Sequence, residues 1–329
     1  MKKTIPLLLI LLFMFVGLVR AQDDVSYQPF DTDGNQLTWS DVAMRLQMYD
    51  VILVGETHND SIGHVVELEL LKTIAADTSR TSVAVSMEMF ERDVQYIVDE
   101  YMDDQIVESH FKKSARAWDN YDTDYKPIVD FARENGLPLI AANSPRRYVN
   151  RVTRYGPEAL DTLPPSAKKF LPPLPVAPPT DAYSAKWDKE MAEAMQHMTP
   201  DTTAAAPEPE SEPDSDEEMA DDSTDTEDYA AHGGFSLRRM LEAQNVWDAG
   251  MAYSIASHMT TVPGSSVVHY VGSFHVESRS GLPDHVQRYR PSARVGVVFL
   301  APVANAAEFD SDLKGTGDII IQTLSPGSE

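Results

Sequence analysis

Cysteine is absent from all 329 residues. That excludes disulfides, thiolate metal sites and a cysteine nucleophile, and with them a lipid anchor on an N-terminal cysteine. Long apolar runs are scarce as well: beyond Val19 no stretch is long and apolar enough to cross a bilayer. Positive charge is thin, with 27 Lys and Arg against 52 Asp and Glu and a formal net charge of −25. Residues 201–228 hold thirteen of those acids and no Lys or Arg, so about half of the excess sits in one segment. The remainder is moderately acidic, which argues against nucleic acid and anionic membrane surfaces as partners. Three catalytic signatures are also missing: a nucleophile elbow, a phosphate-cradling glycine-rich loop and a helical His-Glu-x-x-His.

What is present begins with a basic start at Lys2 and Lys3 and an apolar run from Ile5 to Val19, broken only by Pro6 and Gly17. Val19-Arg20-Ala21 then precedes Gln22, the layout of a signal peptide over residues 1–21 cut after Ala21. An uncleaved anchor is the alternative, which the shortness of the run disfavours. A secreted or periplasmic chain, without a transmembrane segment once cut and not a lipoprotein, is the expectation. Roughly 300 residues remain, enough for one large domain or two small ones.

Residues 199–232 form the clearest break in composition. They have almost no apolar content, so they cannot bury enough surface to offset the entropy of ordering, and a disordered acidic insertion is expected. Leu163-Pro164-Pro165 and Leu171 to Pro179 read as an extended connector. Elsewhere short apolar runs alternate with amphipathic segments. Strands are expected at Val51–Val54, Ser82–Met87, Leu137–Ala142, Val267–Val271, Val295–Leu300 and Ile319–Thr323. Several are apolar on both faces, as in a parallel sheet covered by helices. Helices are expected from Trp39, capped by Thr38 with Asp41, and over 61–76, 92–102, 126–135 and 236–258. This order predicts a three-layer α/β sandwich around a mostly parallel sheet. Residues 22–144 and 263–329 would form the core, and 145–262 a helical cap that contains the acidic insertion.

Four expected strands run straight into polar clusters at their carboxyl ends. These are Gly55-Glu56-Thr57-His58-Asn59-Asp60, Glu88-Met89-Phe90-Glu91-Arg92, Asn143-Ser144-Pro145-Arg146-Arg147 and Gly272-Ser273-Phe274-His275-Val276-Glu277. In a parallel sheet these ends share one edge, where α/β proteins bind ligands. Glu56, His58, Glu88 and His275 make a two-Glu, two-His set suited to acid–base catalysis or to a divalent metal. Arg146 would offer positive charge to an anionic ligand and Asn59 would be a second ligand-binding residue, whereas Arg147 would face solvent. Structural roles compete at each position. Glu56 could cap the following helix, His58 could satisfy a strand end, and Glu88 could pair with Arg92 or Arg146. In the cap, Met191, Met195 and Met198 recur at helical spacing beside His197, after Tyr183 and Trp187. These are haem-ligand types, although a Met stripe at that spacing is ordinary core packing.

The four clusters, together with Gln244-Asn245-Val246-Trp247-Asp248-Ala249-Gly250-Met251-Ala252, resemble the ChaN-like haem-binding family over most of residues 37–300. The resemblance implies an α/β core with a helical cap, and haem stacked between the subunits of a homodimer. No residue of this chain is matched to a haem axial ligand. The family is similar to erythromycin esterases and Tiki-type metalloproteases, in which loops like these carry hydrolysis. By that likeness Glu56, His58, Glu88 and His275 would be active-site residues, and the two readings are a haem binder in iron acquisition and a hydrolase.

Overall fold

The six expected strands become six neighbouring parallel strands. They are β2 (Val51–Glu56), β3 (Ser82–Glu91), β4 (Leu139–Asn143), β5 (Ser265–Gly272), β6 (Val295–Val303) and β7 (Ile319–Leu324). A seventh, β1 (Tyr27–Asp31), joins the edge antiparallel to β7, and the order is β1-β7-β6-β2-β5-β3-β4. This computed structural model describes residues 26–197 and 237–325. The expected signal peptide, the acidic insertion and Met198 lie outside the described residues.

Alternation along each strand sorts the core into two layers. Ile52, Val54, Val85, Met87, Val268 and Tyr270 point to one face. That face is covered by α1 (Trp39–Leu46), α2 (Ser61–Ala75), α3 (Gln95–Met102), α4 (Glu108–Ser114) and α5 (Lys126–Glu134). Val51, Leu53, Ala84, Val267 and Val271 point to the other face. There they meet Met251, Ala252, Ile255 and Met259 of the 25-residue helix Leu237–Thr261, and Leu282 and Val286 of the helix Leu282–Tyr289. With both faces covered, the strands read as near-continuous apolar runs, and the three-layer sandwich is the observed fold.

Between β4 and β5 lie α6 (Arg146–Tyr155), α7 (Pro165–Lys168) and α8 (Asp181–His197), then the long helix, numbered α9, and after β5 the helix Leu282–Tyr289, numbered α10. Helices α6 to α8 have small apolar clusters of their own. One joins Val149, Val152, Leu160 and Leu171 to Ala243 and Val246, and the other joins Tyr183 and Trp187 to Leu241. Helix α9 therefore holds these clusters with its first half and the sheet with its second. None of the described helices is long and apolar enough to cross a membrane.

Candidate functional site

Strand register brings the two Gly-x-x-His loops together. In β2 and β5, neighbours in the sheet, Gly55 stands opposite Val271 and Glu56 opposite Gly272. The loops touch at backbone distance: a β-carbon on Gly55 would lie 2.5 Å from Val276 Cγ2 and 3.2 Å from Ser273 Cα. Only glycine allows that approach.

Glu56 is buried at the end of β2, and its Oε1 accepts hydrogen bonds from His58 Nδ1 at 2.7 Å and from the Tyr125 hydroxyl at 2.8 Å. Burial pushes the Glu56 carboxyl up. Hydrogen bonds with His58 and Glu67, and the charges of His64 and His58, more than offset that and hold it below the ordinary range. His58 is the most open of the set, its side chain 40% exposed, with the ring edge-on to Trp118 at 5.0 Å. With Nδ1 committed to Glu56, Nε2 is the free nitrogen, and it hangs over Gly272. A β-carbon there would be 3.1 Å from it and 3.7 Å from Glu88 Oε2.

Glu88 lies inside β3, which runs on to Glu91 instead of ending at Met87. The pairing with β4 shifts between Met87 and Glu91, and this irregularity breaks the ladder where Glu88 stands. Its Oε2 accepts the Gly272 backbone N–H at 2.8 Å, and its Oε1 is 3.7 Å from His275 Nε2. His275 Nδ1 is 2.6 Å from Asp248 Oδ1, a fully buried carboxylate delivered by α9. Burial disfavours the charged imidazole at both His58 and His275. At His58 the bond to Glu56 and the charge of Glu88 overcome it, and at His275 the charges of Asp248 and Glu88 do so, leaving both above the usual histidine value.

The four expected residues are thus brought together, as two histidine–carboxylate pairs that both lie near Glu88. Sequence reasoning missed Asp248, His64, Glu67 and Tyr125. His64 and Glu67 occupy two positions of the apolar stripe 64, 67, 71 and 74 on α2, and polar residues on a core stripe were the available signal. Their side chains lie under Glu56. His64 Nδ1 is 2.9 Å from Glu67 Oε2 and 3.4 Å from Glu56 Oε2, while Nε2 is 3.0 Å from the His58 carbonyl. Burial, then the charge of Glu56, push the Glu67 carboxyl well up.

The competing structural roles fall elsewhere. Helix α2 is capped by Asp60, not Glu56. Arg92 bonds Ser254 Oγ and lies over the Tyr253 ring rather than pairing with Glu88. Arg146 is exposed at the start of α6, 5.9 Å over the Trp247 ring, with its backbone N–H on Glu91. Asn59 is exposed as well. Arg147 faces solvent as expected, its side chain 47% exposed, and pairs with Asp93 at 2.7 Å. Tyr183 and Trp187 are buried against Phe274 with Met191 packed beside them, and this described part of the Met stripe is packing.

This geometry suits proton transfer among polar groups at the carboxyl ends of a parallel sheet, and it defines an α/β protein with a paired cluster of acid–base residues. The family model described as "Haem-binding uptake, Tiki superfamily, ChaN" matches residues 42–286, and the chain belongs to that family. Among solved structures it is similar to one described as cofacial heme binding to ChaN of Campylobacter jejuni. That likeness has 17% identity and a TM-score of 0.56 over 90% of this chain and 96% of the other. It is also similar to an erythromycin esterase variant in its open conformation, with 9% identity and a TM-score of 0.47 over 93% and 99% of the two chains. No curated protein matches the chain.

Proposed function

We propose that this is an exported haem-binding protein working in haem or iron acquisition at the periplasm or cell exterior. The observation that carries the reading is the family match over residues 42–286. Export rests on the signal-like start at residues 1–21, and the bound form would be a homodimer sharing haem between its subunits. A porphyrin brings two carboxylates and an iron that takes an axial donor. Helix α6 offers groups of both kinds on its outer surface, with exposed Arg146, Arg147 and Arg154 followed by Tyr155, 54% exposed. Adding hemin to the purified chain should give a saturable Soret shift and, in sedimentation, conversion of monomer to dimer. A flat titration overturns the reading.

A second reading is favoured by one specific observation, the convergence of Glu56–His58 and Asp248–His275 near Glu88. In it the site hydrolyses a small substrate. Glu56 holds the His58 ring through Nδ1, leaving Nε2 to take a proton from water. His275, whose charged form Asp248 and Glu88 favour, donates a proton to the leaving group or stabilises developing negative charge. A divalent ion held by members of the Glu56, His58, Glu88 and His275 set would supply a water of lowered pKa. His58→Ala is expected to abolish any hydrolysis and leave haem affinity unchanged. Equal loss of both would show that the two sites are one.

A further inference from the structure

Beneath the strand-end site, Glu56, His64 and Glu67 are all buried, and their ligand atoms lie within 4.8 Å of one another. Two features go beyond a chance cluster of acids. First, Glu56 Oε2 and Glu67 Oε1 are buried side-chain oxygens, on residues that are 2% and 0% exposed, with no hydrogen-bond partner outside the cluster itself. Two buried carboxyl groups that satisfy these oxygens only through each other and His64 are costly, and a cation among them would replace the shared proton. Second, the His64 Nε2–H donates to the His58 carbonyl, which turns Nδ1 to the two carboxylates. Metal-ligating histidines are held this way, by a hydrogen bond from the other ring nitrogen to a carbonyl or carboxylate. The spacing fits too. An ion about 2.1 Å from each donor sets donor–donor distances of about 3.0 Å at an octahedral angle and about 3.4 Å at a tetrahedral one. From Nδ1 the two carboxylate oxygens stand at 2.9 and 3.4 Å.

We propose that Glu56, His64 and Glu67 form a binding site for one divalent first-row metal ion, joined to the strand-end site through the shared carboxylate of Glu56. Oxygen and imidazole donors without sulfur suit Mn²⁺, Fe²⁺ or Zn²⁺. The ion would face Glu56 Oε2 while Oε1 keeps its bonds to His58 and Tyr125, so it orients Glu56 and through it the His58 ring. This site differs from the expected metal set of Glu56, His58, Glu88 and His275, and it stands or falls independently of haem binding.

The test uses the chelator-treated, haem-free mature chain and Mn²⁺ or Zn²⁺ alone. Calorimetry should give one ion per chain, with Glu67→Gln and His64→Gln each weakening binding at least about tenfold and His275→Ala leaving it unchanged. Binding kept in the first two variants but lost in His275→Ala would overturn the proposal, as would no binding at one equivalent. Should both α2 variants fail to fold, pulsed electron spin resonance on Mn²⁺ bound to the unaltered chain decides the matter. A single directly bonded imidazole nitrogen supports His64. Two nitrogens would place the ion between His58 and His275 and overturn the proposal.

Discussion

The imidazoles of His58 and His275 each hold a buried carboxylate on Nδ1, an arrangement that fixes the tautomer and keeps the ring from rotating. For His275 the partner is Asp248, and Asp248→Asn removes the charge while keeping the shape. The His275 pKa should then fall, measured by NMR of the ring protons, and an unchanged value would contradict the account. Breaking a buried pair of this kind costs on the order of 3 kcal/mol. The pH dependence has a definite sign. Because the folded value lies above the unfolded one near 6.5, this pair's contribution is fully present below pH 6.5 and is lost as pH rises through the folded value. The stability gap between the native chain and Asp248→Asn should therefore narrow as pH climbs through that window, which denaturant titrations at several pH values would measure. A gap that widens with pH would contradict the assignment.

Elements position these groups because two strands are neighbours and one helix packs on both the sheet and the apolar clusters of α6 to α8. Helix α9 brings Asp248 to His275, and two residues on, Gly250 seats it against the loop after β4. A β-carbon at Gly250 would lie 2.0 Å from Ser144 Oγ, 3.1 Å from Ser144 Cβ and 3.3 Å from Ser144 N. Alanine gains about 1 kcal/mol over glycine within a helix, yet Ser144 is fully buried and its backbone cannot yield cheaply. Gly250→Ala is expected to cost about 1–3 kcal/mol net and to lower the thermal midpoint by several degrees. An equal or higher midpoint would show that the helix and the loop are not locked together. The six parallel strands were legible in the sequence because buried parallel strands are apolar on both faces, and Thr38 with Asp41 announced α1 through a capping box that forms as expected. The edge strand Tyr27–Asp31 was not legible, since it is short, contains Pro29 and is half-buried. Nor was the run of β3 past Met87, because a break in register carries no local pattern. The site was legible where a polar residue ended an apolar run, as at Glu56 and Glu88. It was hidden where a polar residue sat within a helix, as at His64, Glu67 and Asp248, because a polar residue inside an otherwise apolar helical stretch carries no strand-end signal, and the partner of Asp248 is also distant in sequence.

Across the whole molecule, the excess of negative charge is unevenly placed. Thirteen acids without a Lys or Arg sit in residues 201–228, outside the described residues. Composition alone predicts that replacing 199–232 with a short Gly-Ser linker leaves the thermal midpoint and the hemin affinity unchanged, because a segment with so little apolar content adds little to a core. Loss of either would mean that the segment docks on the fold. On the proposed function, the chain binds haem while its strand-end histidines serve a separate site. The most direct measurement is an absorption titration with hemin, run in parallel on the native mature chain and on His58→Ala. A saturable Soret shift ending near one haem per chain, alike in both proteins, is the predicted result. No Soret shift in the native chain would contradict haem binding, and a shift lost only in His58→Ala would place the haem at the strand-end site itself.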